Sequence, residues 1–234
     1  MKIRKSISII FPIYNEAKRL PNLFKNIKKN KKMSYILVND GSTDKSDKLI
    51  KNFIKNNNKI NIKYLNYSIN RGKGFSIKMG INSCKDNWML TADTDLSVQI
   101  SQINKWLING YLKENNFIYW GSRSNTLSKV NADKNRVFIG KIFKLLLKIF
   151  FDISFEYDTQ CGFKLYNKKV KKIFREQKLN GFCHDVELFL LCRKFKFGIN
   201  FLPVEWKHKK NSKINFFTPF KMFIELFYLK FKFL

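Results

Sequence analysis

Asp93-Thr94-Asp95 follows directly on the apolar run at residues 88–91. Two carboxylates at the end of a buried strand can hold a hard divalent cation, and that cation can also bind the oxygens of a diphosphate. Paired aspartates can equally cap the helix after Leu96. Their neighbours favour chemistry. Pro12-Ile13-Tyr14-Asn15-Glu16 ends the first apolar run of the chain, and Asn39-Asp40-Gly41-Ser42-Thr43-Asp44 ends the second. Asn70-Arg71-Gly72-Lys73-Gly74 opens a third helical segment, where glycines permit close backbone approach and Arg71 and Lys73 can face phosphate. Two glycines alone usually mark a turn. Four polar clusters at four successive strand ends point to one ligand crevice.

The elements that position these clusters follow from periodicity. Ile7, Ile9, Ile10, Phe11 and Ile13 predict a buried strand, and Leu20, Leu23, Phe24 and Ile27 share one helical face. The unit repeats: a strand at 35–38 precedes the helical stripe Leu49, Ile50, Phe53 and Ile54, and a strand at 62–65 precedes a helix ending near Cys84. A fourth strand at 88–91 leads into Ile100, Ile103, Trp106 and Leu107. This alternation predicts an α/β fold, a mostly parallel sheet flanked by helices with ligands at the carboxyl ends of its strands. Beyond a strand at 117–121 the rhythm fades. A helix at 137–151, a strand at 163–166, a helix at 186–195 and a strand at 199–206 are expected. At 216–234 the chain is apolar except for Thr218, Lys221, Glu225, Lys230 and Lys232, four of them near one stripe of an amphipathic helix.

At 234 residues the chain is one ordinary domain, or one domain with a short tail. With 44% hydrophobic and 27% charged residues it is too apolar for disorder and not apolar enough for several membrane spans. Lys plus Arg at 46 against Asp plus Glu at 17 gives a net charge of +29, which suits anionic partners. An abundance of Lys, Asn, Ile and Phe gives the same excess by compositional drift. Cys84, Cys161, Cys183 and Cys192 lack metal-type spacing and only His184 and His208 accompany them, so neither zinc nor a disulfide framework is expected, and a reducing cytoplasm fits. Residues 1–10 are basic and then apolar, but Pro12, Asn15 and Glu16 interrupt the run too early for a signal peptide.

Taken together, these motifs resemble the family-2 nucleotide-sugar glycosyltransferases of the GT-A fold, and within them the polyprenyl-phosphate hexosyltransferases, over residues 6–213. The resemblance implies that Pro12, Tyr14, Asn15 and Glu16, with Asp40, Gly41 and Ser42, hold a nucleoside, and that Arg71, Gly72, Lys73 and Gly74 lie by the donor. It implies Mg²⁺ or Mn²⁺ on Asp93 and Asp95. Asp158-Thr159-Gln160-Cys161-Gly162-Phe163-Lys164, His184-Asp185-Val186-Glu187-Leu188 and Asn211-Ser212-Lys213-Ile214 are similar to dolichyl-phosphate β-glucosyltransferases. Gly121-Ser122-Arg123 is shared with the mannosyl homologues. Thr94 stands where the family usually has Ala, and Ser97 where the mannosyl enzymes carry Gln.

What the resemblance implies is an inverting, metal-dependent transfer of a hexose, glucose from UDP-glucose foremost, onto polyprenyl phosphate. A GDP-mannose donor or a sugar-hydroxyl acceptor in surface polysaccharide synthesis is the alternative. A phosphate monoester is already ionised near neutrality, its second pKa being about 6, so it needs positioning rather than a base. Arg123, Arg136 and Lys213 are the cations expected to position it, with Gln160 beside them. A hydroxyl acceptor would need a carboxylate base, for which Asp185 and Glu187 are the candidates; both also suit the start of a helix. A prenyl chain leaves a bilayer at a cost of ~0.8 kcal/mol per CH₂, which places the enzyme at the membrane surface, on its cytoplasmic side. Between Lys194 and Leu234 there are 9 Lys or Arg against 2 Asp or Glu, interleaved with aromatics, as an interfacial helix on anionic lipid requires. Residues 1–213 are thus expected to form the catalytic domain and 214–234 a peripheral tail, with no spanning helix. The helix at 137–151 is a second candidate contact, unless both helices pack on protein. No nucleic-acid motif and no obligate protein partner are expected.

Overall fold

The computed structural model describes residues 7–131, 134–209 and 218–233. The chain runs β1 (Ile7–Ile13), α1 (Leu20–Lys29), β2 (Ser34–Asp40), α2 (Ser46–Lys55), β3 (Ile62–Tyr67), α3 (Lys73–Ser83), β4 (Trp88–Thr91) and α4 (Gln102–Ile108). It continues through β5 (Ile118–Ser122), β6 (Lys129–Asn131), α5 (Lys134–Phe151), β7 (Lys164–Asn167), α6 (Lys171–Glu176), α7 (His184–Lys194), β8 (Asn200–Pro203), β9 (Glu205–Lys207) and α8 (Thr218–Phe233).

Both faces of the central strands are covered, which is why they read as continuous apolar runs. Side chains alternate across the sheet: Ile9, Phe11 and Ile13 join Leu37 and the helices α1, α2 and α4 in one core, while Ile10, Ile36 and Val38 join α3, α6 and α7 in the other. The seven strands lie in the order β3-β2-β1-β4-β7-β5-β8. β1 pairs in parallel with β2 on one side and β4 on the other, so the chain winds outward to β3 and then returns. That reversal opens a crevice beyond the carboxyl ends of β1 and β4.

Beyond β4 the sheet is mixed. β7 runs antiparallel between β4 and β5, and this carries residues 158–163 back across the crevice mouth. The single strand expected at 199–206 is two strands in two sheets. Pro203 has no amide hydrogen to continue a ladder, and its carbonyl accepts from Trp106 Nε1 at 2.8 Å. The Val204 amide donates instead to Ser128 Oγ at 2.9 Å, and β9 then pairs with β6. β6 and α6 are short elements without a periodic signature.

Candidate active site

Each polar cluster sits at the end of an element that fixes it. The turn after β4 presents Asp93 and Asp95 into the crevice; Thr94 turns inward and donates to the Pro12 carbonyl at 2.9 Å, tying β4 to β1. Asp95 Oδ1 accepts from the Ser97 amide at 2.8 Å. Leu96 between them has φ +54°, a left-handed backbone held by a fully buried side chain, and strain of this kind collects at functional sites. Gly162 abuts Asp93 so closely that a Cβ there would strike its carboxylate.

Asp40 organises the glycine loop. Its Oδ1 accepts from the Arg71 amide at 2.7 Å, and its Oδ2 accepts from the Gly72 amide at 2.9 Å and from Asn70 Nδ2 at 3.0 Å. Gly41 and Gly72 need their glycines, with φ +62° and +98° and neighbouring backbone where a Cβ would stand. The loop delivers Lys73 across the crevice to Asp93, Nζ to Oδ1 at 2.7 Å. Desolvation opposes ionisation of Asp93, but Lys73 outweighs it and holds the carboxyl below its usual range. Desolvation likewise opposes the Lys73 charge, and Asp93 and Asp185 together raise it.

On the far side Arg123, at the end of β5, meets Asp158 through two contacts, Nε to Oδ2 at 2.7 Å and Nη2 to Oδ1 at 2.8 Å. Burial alone would raise the Asp158 carboxyl; the guanidinium holds it instead at about 2. Lys164 lies fully buried on β7, over the Trp120 ring at 4.0 Å, donating to the Thr159 carbonyl and to Asp185 Oδ1. Desolvation lowers its pKa. Burial would raise Asp185, but His184, with Nε2 at 3.2 Å, and Lys164 keep it far below the carboxylate range.

Except for Lys164, which lies buried behind it, these charged groups line one cleft of about 680 Å³. It gathers Pro12, Tyr14, Glu16, Asp40, Gly72, Lys73, Asp93, Asp95, Arg123, Gln160 and Asp185 from the expected set. Asn15, Gly41, Ser42, Arg71 and Gly74 do not line it. Asn15 and Ser42 brace the β1 and β2 loops, with the Asn15 amide donating to Ser42 Oγ at 2.9 Å and the Thr43 amide to Asn15 Oδ1 at 2.8 Å. Arg71 is exposed, its guanidinium 4.9 Å from the centre of the Phe75 ring, and the Gly74 amide donates to the Asn180 carbonyl at 2.8 Å. Glu187 is fully buried outside the cleft and accepts from the Lys178 and Leu179 amides, a poor position for a base. The Arg136 side chain and Lys213 lie outside the described residues.

No sequence motif assigns a role to Lys164 or His184. The signal for Lys164 was its place as the one cation in an apolar strand. Nor does any local pattern show that α5 and α8 form the apolar wall, with Ile139, Ile142, Phe143 and Leu146 from one and Met222, Phe223 and Leu226 from the other. Thr159 Oγ1 and Gln160 Nε2, both on the cleft lining, are buried polar atoms lacking a partner among the described residues.

The donor set fits a divalent cation shared with a ligand. Among the described residues no three His, Cys, Asp or Glu converge into a closed cage, and Mg²⁺ in particular is bound by one or two carboxylates plus substrate phosphates. Asp93, kept anionic against the open cleft, and Asp95 are the carboxylates that would hold it.

The glycosyl transferase family 2 model matches residues 8–174, the span that carries all four strand-end clusters and Arg123. The chain belongs to glycosyl transferase family 2. It is 32% identical over 239 residues to a dolichyl-phosphate beta-glucosyltransferase of Trichomonas vaginalis, covering 94% of this chain and 71% of that protein. A Dictyostelium discoideum protein of the same description is 30% identical, with 97% of this chain and 75% of that one covered. Among solved structures, glucosyl-3-phosphoglycerate synthase from Mycobacterium tuberculosis, in complex with Mn²⁺, UDP and phosphoglyceric acid, has a TM-score of 0.69 at 13% identity, over 97% of this chain and 78% of that one. That likeness is one of fold, and the fold is GT-A. The chain is a glycosyltransferase.

Proposed function

We propose that this glycosyltransferase moves glucose from UDP-glucose to the phosphate of a dolichyl or other polyprenyl phosphate, at the cytoplasmic face of a membrane. The observation that carries the reading is the cleft's division. Carboxylates and cations line its sheet side, and α5 and α8 line the other side with Ile139, Ile142, Phe143, Leu146, Met222 and Phe223. A charged head on a long apolar chain matches both; a free oligosaccharide matches only the first. The names of the Trichomonas and Dictyostelium relatives support the same acceptor and sugar.

In this reading Pro12, Tyr14, Glu16 and Asp40 form the nucleoside side of the donor wall, and Lys73 faces the diphosphate. Asp93 and Asp95 would hold Mg²⁺ or Mn²⁺, which when bound neutralises charge on the departing diphosphate. Arg123 receives the acceptor phosphate on the guanidinium edge opposite the Nε/Nη2 edge gripped by Asp158, and Gln160 lies beside it. Arg136 and Lys213 are proposed as further phosphate contacts from the resemblance alone. A phosphate oxygen attacks the anomeric carbon from the face opposite the leaving group; the carbon–oxygen bond to UDP breaks, UDP leaves with the electron pair, and the anomer inverts. No proton must be removed, since the acceptor is already an anion. Asp185 is consistent with this: a carboxylate held so low by Lys164 and His184 is a weak base, and it serves better to hold Lys73 in place.

The surface supports a peripheral attachment. No helix among the described residues is long and apolar enough to cross a membrane. Phe138, Ile142, Leu145 and Ile149 on α5, and Phe220, Ile224, Phe227 and Phe231 on α8, are exposed at helical spacing. The polar stripe of α8 turns the other way, with Glu225 on the Cys183 amide at 2.9 Å and Lys232 on Glu187 at 2.6 Å. Apolar outward and polar inward is the arrangement an interfacial helix takes with its greasy face in lipid.

Radiolabelled UDP-glucose offered with polyprenyl phosphate and Mg²⁺ or Mn²⁺ tests the proposal. Label is expected in a chloroform-soluble, mild-acid-labile product, and EDTA is expected to abolish it. Label confined to water-soluble glycan would overturn the acceptor, and preferential transfer from labelled GDP-mannose offered under the same conditions would overturn the donor.

A further inference from the structure

The polar contacts of α8 continue into the donor wall. Glu225 Oε2 accepts from the Cys183 amide at 2.9 Å, and Gly181 is where a Cβ would strike the Glu225 carboxylate. Lys232 Nζ donates to Glu187 Oε1 at 2.6 Å, and Glu187 in turn accepts from the Lys178 amide at 3.0 Å and the Leu179 amide at 2.7 Å. Both contacts therefore fasten the segment 178–183. That segment clasps the glycine loop: the Asn180 carbonyl accepts from the Gly74 amide at 2.8 Å, and Gln177 Nε2 donates to the Gly74 carbonyl at 3.1 Å. An added Cβ at Gly72 would strike the same Asn180 carbonyl, so loop and segment are in backbone contact. Between Gly72 and Gly74 sits Lys73, 2.7 Å from Asp93.

We infer that α8 is a positioning element of the donor wall, with Glu225 and Lys232 acting through residues 177–183 to set where Lys73 meets the nucleotide sugar. The inference rests on the reading of Lys73 and Asp93 as the donor's diphosphate contacts. It differs from an anchoring role, in which α8 would hold the protein to lipid and leave the donor loop untouched. Leu226 and Leu229 are fully buried, so their packing keeps the helix docked when one polar contact is removed.

The test uses the full chain with Lys232→Met, Glu225→Gln and the conservative Lys232→Arg. Lys232→Met and Glu225→Gln are expected to raise the KM for the nucleotide sugar roughly 2- to 30-fold, the range that coupling through such a network spans. The KM for the lipid acceptor and kcat are expected to change little, and Lys232→Arg to restore donor KM. Hydrogen exchange without any substrate is expected to quicken at the Lys178, Leu179 and Gly74 amides in Lys232→Met, with the α8 amides still protected. Unchanged donor KM together with unchanged exchange at Gly74 overturns the inference and leaves α8 an anchor. If the unaltered protein shows no transfer from any nucleotide sugar, the proposed function fails by itself, and exchange at Gly74 still decides whether α8 holds the loop.

Discussion

The two walls of the cleft each carry an ion pair, and the pairs are built differently. Lys73 and Asp93 meet through one contact of 2.7 Å between side chains 25% and 37% exposed. Arg123 and Asp158 meet through two, and Asp158 is 3% exposed, with the Arg123 and Gln160 amides on the same carboxylate. A half-exposed pair can be exchanged for ligand contacts at small cost. A buried, bidentate one cannot be opened without stranding a charge. Under the proposed function the difference suits two tasks: a Lys73 side that can rearrange around a bound donor, and an Arg123 side whose guanidinium plane is fixed before an acceptor arrives.

The largest effect that sharpens this contrast lies in activity. Asp93→Asn combined with Asp95→Asn is expected to lower turnover about 10³-fold, the scale seen when charge stabilisation is removed from a reacting centre, with the thermal midpoint nearly unchanged. A large loss of stability would show instead that the donor wall is architectural. Next is stability. Asp158→Asn leaves Arg123 without its counter-charge and is expected to cost about 3 kcal/mol in a denaturant titration, whereas Lys73→Ala is expected to cost less than about 1 kcal/mol. Equal costs would erase the distinction between the pairs.

The pH dependence is smaller and has a definite sign. Asp158 is held at about 2 against an ordinary 3.8. A carboxyl lowered on folding stabilises the fold fully above its unfolded pKa, and that stabilisation is lost as pH falls toward the folded value. The shift is worth about 2 kcal/mol, so acid unfolding between pH 3.8 and 2 is expected to be flatter in Asp158→Asn. An unaltered acid limb in that variant would mean that another carboxylate dominates. The smallest effect lies on the apolar wall. Ile142→Ser with Phe223→Ser removes two half-exposed side chains and is expected to weaken flotation with anionic vesicles about tenfold, while unfolding stays the same. Undiminished flotation would move lipid contact elsewhere.

The β-α rhythm up to Thr91 was legible because each strand there is buried on both faces and each helix has one apolar stripe. Local sequence and tertiary environment then agree. Residues 199–206 read as one strand in sequence because the break at Pro203 depends on Ser128 and Trp106, about a hundred residues away in one case, which no local period encodes. The site divides in the same way. Asp93, Asp95 and Lys73 stand out in sequence as polar clusters interrupting apolar runs. That Glu187 is a structural acceptor and Asp185 a cleft residue was not legible, since two acids two positions apart look alike until the helix is docked.

The sequence by itself determined the parallel core, the polar strand ends and the amphipathic pattern of α8, because these follow from residue type and spacing along one element. Only the tertiary structure decided which charges meet. Pairing Lys73 with Asp93, Arg123 with Asp158 and Lys232 with Glu187 joins residues 20, 35 and 45 positions apart, and electrostatic energy depends on distance and burial in space, neither of which is written in the local order of the chain.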